Sequence, residues 1–156
     1  MFFSKLTPNL FFSFFFLFLF YGSCYSKTIE VSMWSNFQGK KNNMRYDPRI
    51  ISINVGDTVH WKSLGKDHNV EFLVEGIPVG VEKLNSELNQ DVEFTFITPG
   101  IYAYVCTLHI NIGMIGFIIV GNDLHNLKEV KKIKYSGFAR RIAKELIEKM
   151  EKDYGD

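Results

Sequence analysis

Cysteine is scarce in this chain, and an excess of charge of either sign is missing. Its 156 residues contain two cysteines, 18 basic and 17 acidic side chains, a formal net charge of +1. A surface without a basic excess implies no nucleic-acid partner. The length suits one compact domain with an appendage rather than two ordinary domains. No internal repeat or low-complexity linker follows residue 26.

Aromatics, by contrast, are abundant and unevenly placed. Nine of the 15 phenylalanines fall in the first twenty residues, so they describe the N-terminus rather than the fold. Lys5, an apolar run from Leu10 to Tyr21 broken only by Ser13, and the small residues Gly22, Ser23, Cys24 and Ser26 describe a secretory signal peptide over residues 1–26. That run is too short to span a hydrocarbon core roughly 30 Å thick. Cleavage after Ser26 removes Lys5 and no acidic residue, leaving a periplasmic chain of formal charge zero with no stable membrane insertion. The stretch Tyr21-Gly22-Ser23-Cys24 is an alternative, lipoprotein-type exit that would lipidate Cys24. Either way Cys24 leaves the chemistry of the fold. The remaining Cys106 cannot form an internal disulfide, and a lone thiol in an oxidising compartment calls for an occupant.

From Lys27 onward β-branched and aromatic residues recur in short runs: TIEVSMW, RIISINV, DTVHWKS, NVEFLV, DVEFTFIT, IYAYVC and MIGFIIVG. Turn residues separate them, among them Asp47-Pro48, Gly56-Asp57, Gly76-Ile77-Pro78 and Pro99-Gly100. Seven short strands predict a mainly β sandwich or barrel over about residues 27–121. Residues 81–90 read as a loop or short helix. Beyond Gly121 the period changes: Leu124, Leu127, Val130 and Ile133, then Phe138, Ile142 and Leu146 beside Ala139, Ala143, Ile147 and Met150, predict two amphipathic helices over about 122–156. Asn122 or Asp123 would cap the first and Ser136 the second. The helices complete a single domain, residues 27–156.

The stretch VCTLHINIGMIGF places Cys106, His109 and Met114 at the spacing C-x2-H-x4-M after a strand. Thiolate, imidazole and thioether together suit copper. Zinc would ask for four cysteine or histidine ligands where one mature cysteine exists. His68, in GKDHNVEF, is the best fourth donor. His60 reads as an ordinary strand histidine and His125 as a surface residue. A buried inert thiol, or a nucleophile with its base, remains an alternative for Cys106 and His109 alone.

NVGDTVHW, DHNVEF, TPGIYAYVCTLH and the Met114 loop, followed by two C-terminal helices, resemble the small blue-copper proteins, or cupredoxins, and most closely the pseudoazurins. The resemblance runs from about Ile29 to Asp123 and implies a Greek-key sandwich. It implies one copper ion held by His68, Cys106, His109 and, axially, Met114. It also implies a backbone N–H from Asn69 toward the Cys106 sulfur, and a tie from the Asn69 side chain to Thr107. Related proteins often carry proline where this chain has Leu108, which restores an N–H beside the thiolate and predicts a higher reduction potential.

The implied activity is single-electron transfer, not catalysis, between periplasmic redox proteins, possible partners being nitrogen-oxide reductases and cytochromes; a periplasmic copper chaperone is the alternative. Electrons would cross at His109 through an apolar patch including Met44, Pro78, Leu108, Ile110 and Ile112. Lys40, Lys41, Arg45 and Lys66 would form a basic rim that steers an acidic partner. The molecule is expected to be a monomer.

Overall fold

The computed structural model describes residues 25–40 and 43–155. Apart from Tyr25 and Ser26, the expected leader lies outside the described residues, as do Cys24 and Lys41. The strands are β1 (Thr28–Trp34), β2 (Arg45–Asp47), β3 (Ile50–Ile53), β4 (Thr58–Ser63), β5 (Glu71–Phe72), β6 (Val92–Thr95), β7 (Gly100–Val105) and β8 (Ile115–Val120). They form two four-stranded sheets, in the orders β2-β1-β4-β6 and β3-β8-β7-β5. The helices are α1 (Leu127–Val130) and α2 (Gly137–Tyr154).

Burial follows from which faces are covered. In β1 and β4, Val31, Met33, Val59 and Trp61 are buried while Glu30 and Lys62 are exposed. Parallel pairing aligns Val31 with Trp61, so one apolar set faces the second sheet. Strands β7 and β8 are instead buried at every residue. Their Tyr102, Tyr104, Ile118 and Val120 enter the core between the sheets. Ile101, Ala103, Phe117 and Ile119 pack with Val130, Ile147 and Met150 of the helices. Double coverage is the reason these two segments are apolar throughout instead of alternating. Between the sheets, Trp61 meets Tyr104 at 5.4 Å and Phe72 at 6.3 Å, edge to face.

The structure departs from expectation in several elements. An eighth strand, β2, was not foreseen. The two sheets form a sandwich, and no closed barrel joins the described strands. NVEFLV yields only the two residues of β5, and residues 81–90 stay irregular except for a bridge between Glu71 and Asn85. The first helix is a single turn, preceded by Asn126 rather than Asn122 or Asp123. Asn126 spends its side chain on Ile101, accepting its N–H and donating to its carbonyl, both at 2.8 Å. Ser136 does precede α2, but its hydroxyl donates to Asn111 Oδ1 at 2.7 Å instead of capping the helix. Phe138 is 60% exposed, outside the buried stripe of Ala139, Ala143, Ile147 and Met150.

The topology sorts the loops into two poles. At one, the chain leaves β1 at Ser35, β4 toward His68 and β7 at Cys106, and enters β8 from Met114. At the other, Ser26 Oγ donates to the Gly56 carbonyl at 2.7 Å and Lys27 N–H to Asp57 Oδ1 at 2.9 Å. Among the described residues, no helix is long and apolar enough to cross a membrane.

Candidate metal centre

One nitrogen or sulfur atom from each of His68, Cys106 and His109 lies within 4.8 Å of the others. His68 comes from the loop after β4 and is fully buried. Its Nε2 lies 2.9 Å from Ser35 Oγ, while its Nδ1 is buried without a hydrogen-bond partner. A Cβ at Gly65 would fall 2.2 Å from Ser35 Oγ and 2.8 Å from His68 Nε2, so only glycine allows this approach. Bonding of Nε2–H to Ser35 leaves the Nδ1 lone pair free to point inward.

Cys106 and Met114 are both fully buried. Main-chain bonds draw the segment between them into a closed loop: Cys106 N–H to the Met114 carbonyl, His109 N–H to the Cys106 carbonyl and Met114 N–H to the His109 carbonyl, each at 3.1 Å. His109 is half-buried, and its Nδ1 lies 3.3 Å from Cys106 Sγ. The two imidazole rings sit 5.0 Å apart.

Burial lowers the pKa of His68 to about 4, with help from His109, and lowers that of His109 against the opposing pull of Asp67. Both rings are therefore neutral at pH 7, with lone pairs available. Burial raises the Cys106 thiol, while the backbone N–H groups of Asn69, His109 and Leu108 oppose that rise. A thiol prevented from ionising by burial but surrounded by N–H donors is suited to lose its proton when a cation arrives.

The neighbours of these donors tie the loops together. Asn69 Oδ1 accepts from Thr107 N–H at 2.9 Å and from Thr107 Oγ1 at 3.0 Å. Tyr46, buried and edge-on to Tyr104 at 4.7 Å, donates its hydroxyl to the Asn69 carbonyl at 2.6 Å. Ser35 and Tyr46 were not singled out from the sequence. Ser35 lies 33 residues from His68 and leaves no local signal in the sequence.

The expected docking residues divide. Leu108 is 58% and Ile112 43% exposed beside His109. Ile110 instead packs in a cluster with Ala139 and Ala143 of α2, and Met44 is half-buried against the central core. Pro78 is a correction: it is buried against Gly100, at the start of β7 and so at the opposite pole from Cys106. The antiparallel pairing of β5 with β7 carries the turn after β5 to that end. Lys40 and Lys66 are exposed. Arg45 is not a free rim charge, because it stacks 4.1 Å over Phe37 and meets Asp47 at 3.2 Å. His60 is a half-buried strand residue 3.5 Å from Asp91, and His125 lies beside Asp123 at the far pole.

A two-sheet sandwich carrying a buried thiol, two neutral imidazoles and a buried thioether at one pole defines a small copper protein of the cupredoxin class. The profile of copper binding proteins of the plastocyanin/azurin family matches residues 34–121. Pseudoazurin from Paracoccus pantotrophus is 34% identical over 116 residues, 74% of this chain and 79% of that protein. Native pseudoazurin from Hyphomicrobium denitrificans superposes with a TM-score of 0.71 at 30% identity, over 78% of this chain and 97% of the other. The pseudoazurin of Methylobacterium extorquens AM1 gives 0.74 at 24% identity, over 79% and 98%, and speaks to the fold alone. The chain belongs to the plastocyanin/azurin family of copper-binding proteins and, within it, to the pseudoazurins. It is accordingly an electron carrier with one copper ion and not an enzyme.

Proposed function

We propose that His68, Cys106, His109 and Met114 hold the copper ion, the histidines through Nδ1, and that the chain relays single electrons between exported redox proteins. The observation that carries this reading is the unpartnered buried Nδ1 of His68, within reach of Cys106 and His109. Once bound, copper supplies reversible one-electron chemistry. The protein supplies the rest. Cys106 gives up its proton to solvent when the metal binds, and the N–H groups of Asn69 and Leu108 stabilise the resulting thiolate. Met114 is held close by its backbone bonds to Cys106 and His109. Donors fixed by the loop bonds and by Asn69 cannot rearrange far, which keeps the structural cost of a charge change small.

The exposed part of His109, flanked by Leu108 and Ile112, is the exit for the electron, and Lys40 and Lys66 steer an acidic partner. A nitrogen-oxide reductase or a cytochrome fits this role. The leader over residues 1–26 directs residues 27–156, a monomeric single domain, to the periplasm.

The test is the visible spectrum of the purified domain after Cu(II) addition, beside that of Cys106→Ala. An intense thiolate-to-copper absorption, bleached by ascorbate and missing in the variant, is expected. A colourless protein that still binds Cu(I) would overturn the reading in favour of a copper chaperone. Association rates with the redox partner that are indifferent to ionic strength would defeat the steering role of Lys40 and Lys66.

A further inference from the structure

Helix α2 and the residue before it meet the metal-binding loop at Ile110, Asn111 and Gly113, none of them a donor. Val105 and Ile115 immediately flank Cys106 and Met114 and face each other across β7 and β8. Because side chains alternate along a strand, Cys106 and Met114 enter the core between the sheets while Val105 and Ile115 emerge on the opposite face. There they form one buried cluster with Ala139 and Ala143 of α2, and Ile110, Ile142 and Leu146 pack against it. Within the loop, Gly113 has φ +91°, and a Cβ there would lie 2.2 Å from Ile142 Cδ1. Asn111 accepts from Ser136, and a Cβ on Gly137 would come 2.9 Å from the Asn111 carbonyl. Thr107, Leu108 and Ile112 are instead exposed, and Thr107 is tied to Asn69.

We propose that α2 positions the thioether donor: Ile142, bearing on Gly113 and on the Val105–Ile115 pair, sets how far Met114 reaches toward the site that would hold copper. The inference rests on the ligand set proposed above. Gly113 directly precedes Met114, and the main chain on its other side is fixed by the Met114-to-His109 and Cys106-to-Met114 bonds. Packed interiors do not deform continuously, so a side chain seated on the loop from outside transmits its bulk to the residue next along the chain. Removing that bulk lets the loop settle toward α2, away from the core into which Met114 projects. With the Met114 thioether held further from a bound copper, its donation would weaken and Cu(I) would be favoured.

Ile142→Ala tests this, with Ile142→Val as the conservative variant and Met150→Ala as a control in the same helix. Met150 is fully buried but packs in the separate cluster with Ile101 and Ile119. Each protein is loaded with Cu(II) and read by absorption, electron paramagnetic resonance and voltammetry, and its metal-free stability is measured by urea denaturation. In Ile142→Ala the ratio of the two thiolate-to-copper bands changes and the potential rises. Ile142→Val returns both most of the way. Met150→Ala loses stability with its spectrum and potential unchanged. If Ile142→Ala loses stability yet keeps the parent ratio and potential, α2 is only a cover and the proposal is wrong. If the unsubstituted protein has no thiolate-to-copper band, the ligand set itself falls and this inference with it.

Discussion

Replacing Asn69 by alanine measures how firmly the two metal-binding loops are joined before any metal is present. The side chain is 4% exposed and makes two good bonds, to Thr107 N–H at 2.9 Å and Thr107 Oγ1 at 3.0 Å. A third, from Nδ2 to the Ser86 carbonyl, is long at 3.4 Å and contributes little. At about 1 kcal/mol net for each good bond, the variant loses about 2 kcal/mol. Thr107 is exposed, so water can reach the donors left behind and no large desolvation penalty is added. With a urea slope of about 2 kcal/mol per molar, the midpoint of metal-free unfolding falls by about 1 M. Thr107→Val removes only the hydroxyl, and a double-mutant cycle with Asn69→Ala isolates that bond at about 0.5–1 kcal/mol. In the copper-loaded protein the colour persists, because the Asn69 backbone N–H remains, but copper leaves faster from an untethered loop. A loss below about 0.5 kcal/mol together with zero coupling would refute the tie between the loops.

Tyr46→Phe strands the Asn69 carbonyl in the core and costs about 1–3 kcal/mol by urea denaturation, where a neutral result would mean that the 2.6 Å bond contributes nothing. The metal-free protein is expected to lose stability on acidification. The folded pKa of His68, about 4, lies below the usual 6.5, so between these values the unfolded chain binds a proton that the folded chain refuses. This contribution is complete above about pH 6.5 and disappears as the pH falls to about 4, a loss on the order of 2–3 kcal/mol. Denaturation curves across that window check it, and a slope unchanged in His68→Gln would assign the effect elsewhere. Leu108→Pro removes one of the N–H groups opposing the rise of the Cys106 pKa and should lower the reduction potential. Voltammetry that finds no fall defeats that account.

The legible parts of this molecule are those in which neighbours in the chain are also neighbours in space. Cys106, His109 and Met114 share one loop, so their spacing is visible in the sequence. The stripe of Ala139, Ala143, Ile147 and Met150 follows from helical period alone. Ser35 lies 33 residues from His68 and meets it only because β1 and β4 run parallel and end at the same pole, a pairing that no local pattern encodes. Pro78 was misplaced for the converse reason. Its turn looks like any other until the antiparallel partnership of β5 assigns it to an end of the sandwich. Strand β2 has three residues, too few for alternation to register, and its edge position depends on β1. Leu124, Leu127 and Val130 recur at helical spacing, but Asn126 gives its side chain to Ile101 of β7 and α1 begins only at Leu127.

The chain enters β1 at the pole opposite the donor loop, fastened there by Ser26 to Gly56 and Lys27 to Asp57. Tyr154, the last residue of α2, packs against the cluster that includes Ile101 and lines one groove with Asn122 and Leu124, at the same side of the molecule. A linker spliced ahead of Tyr25 or after Tyr154 would therefore hold the protein by its back. On an electrode, a bead or a fused reductase, a layer of such molecules would stand with His109 outward without any surface chemistry to orient it, because strand direction has already set the polarity of the object.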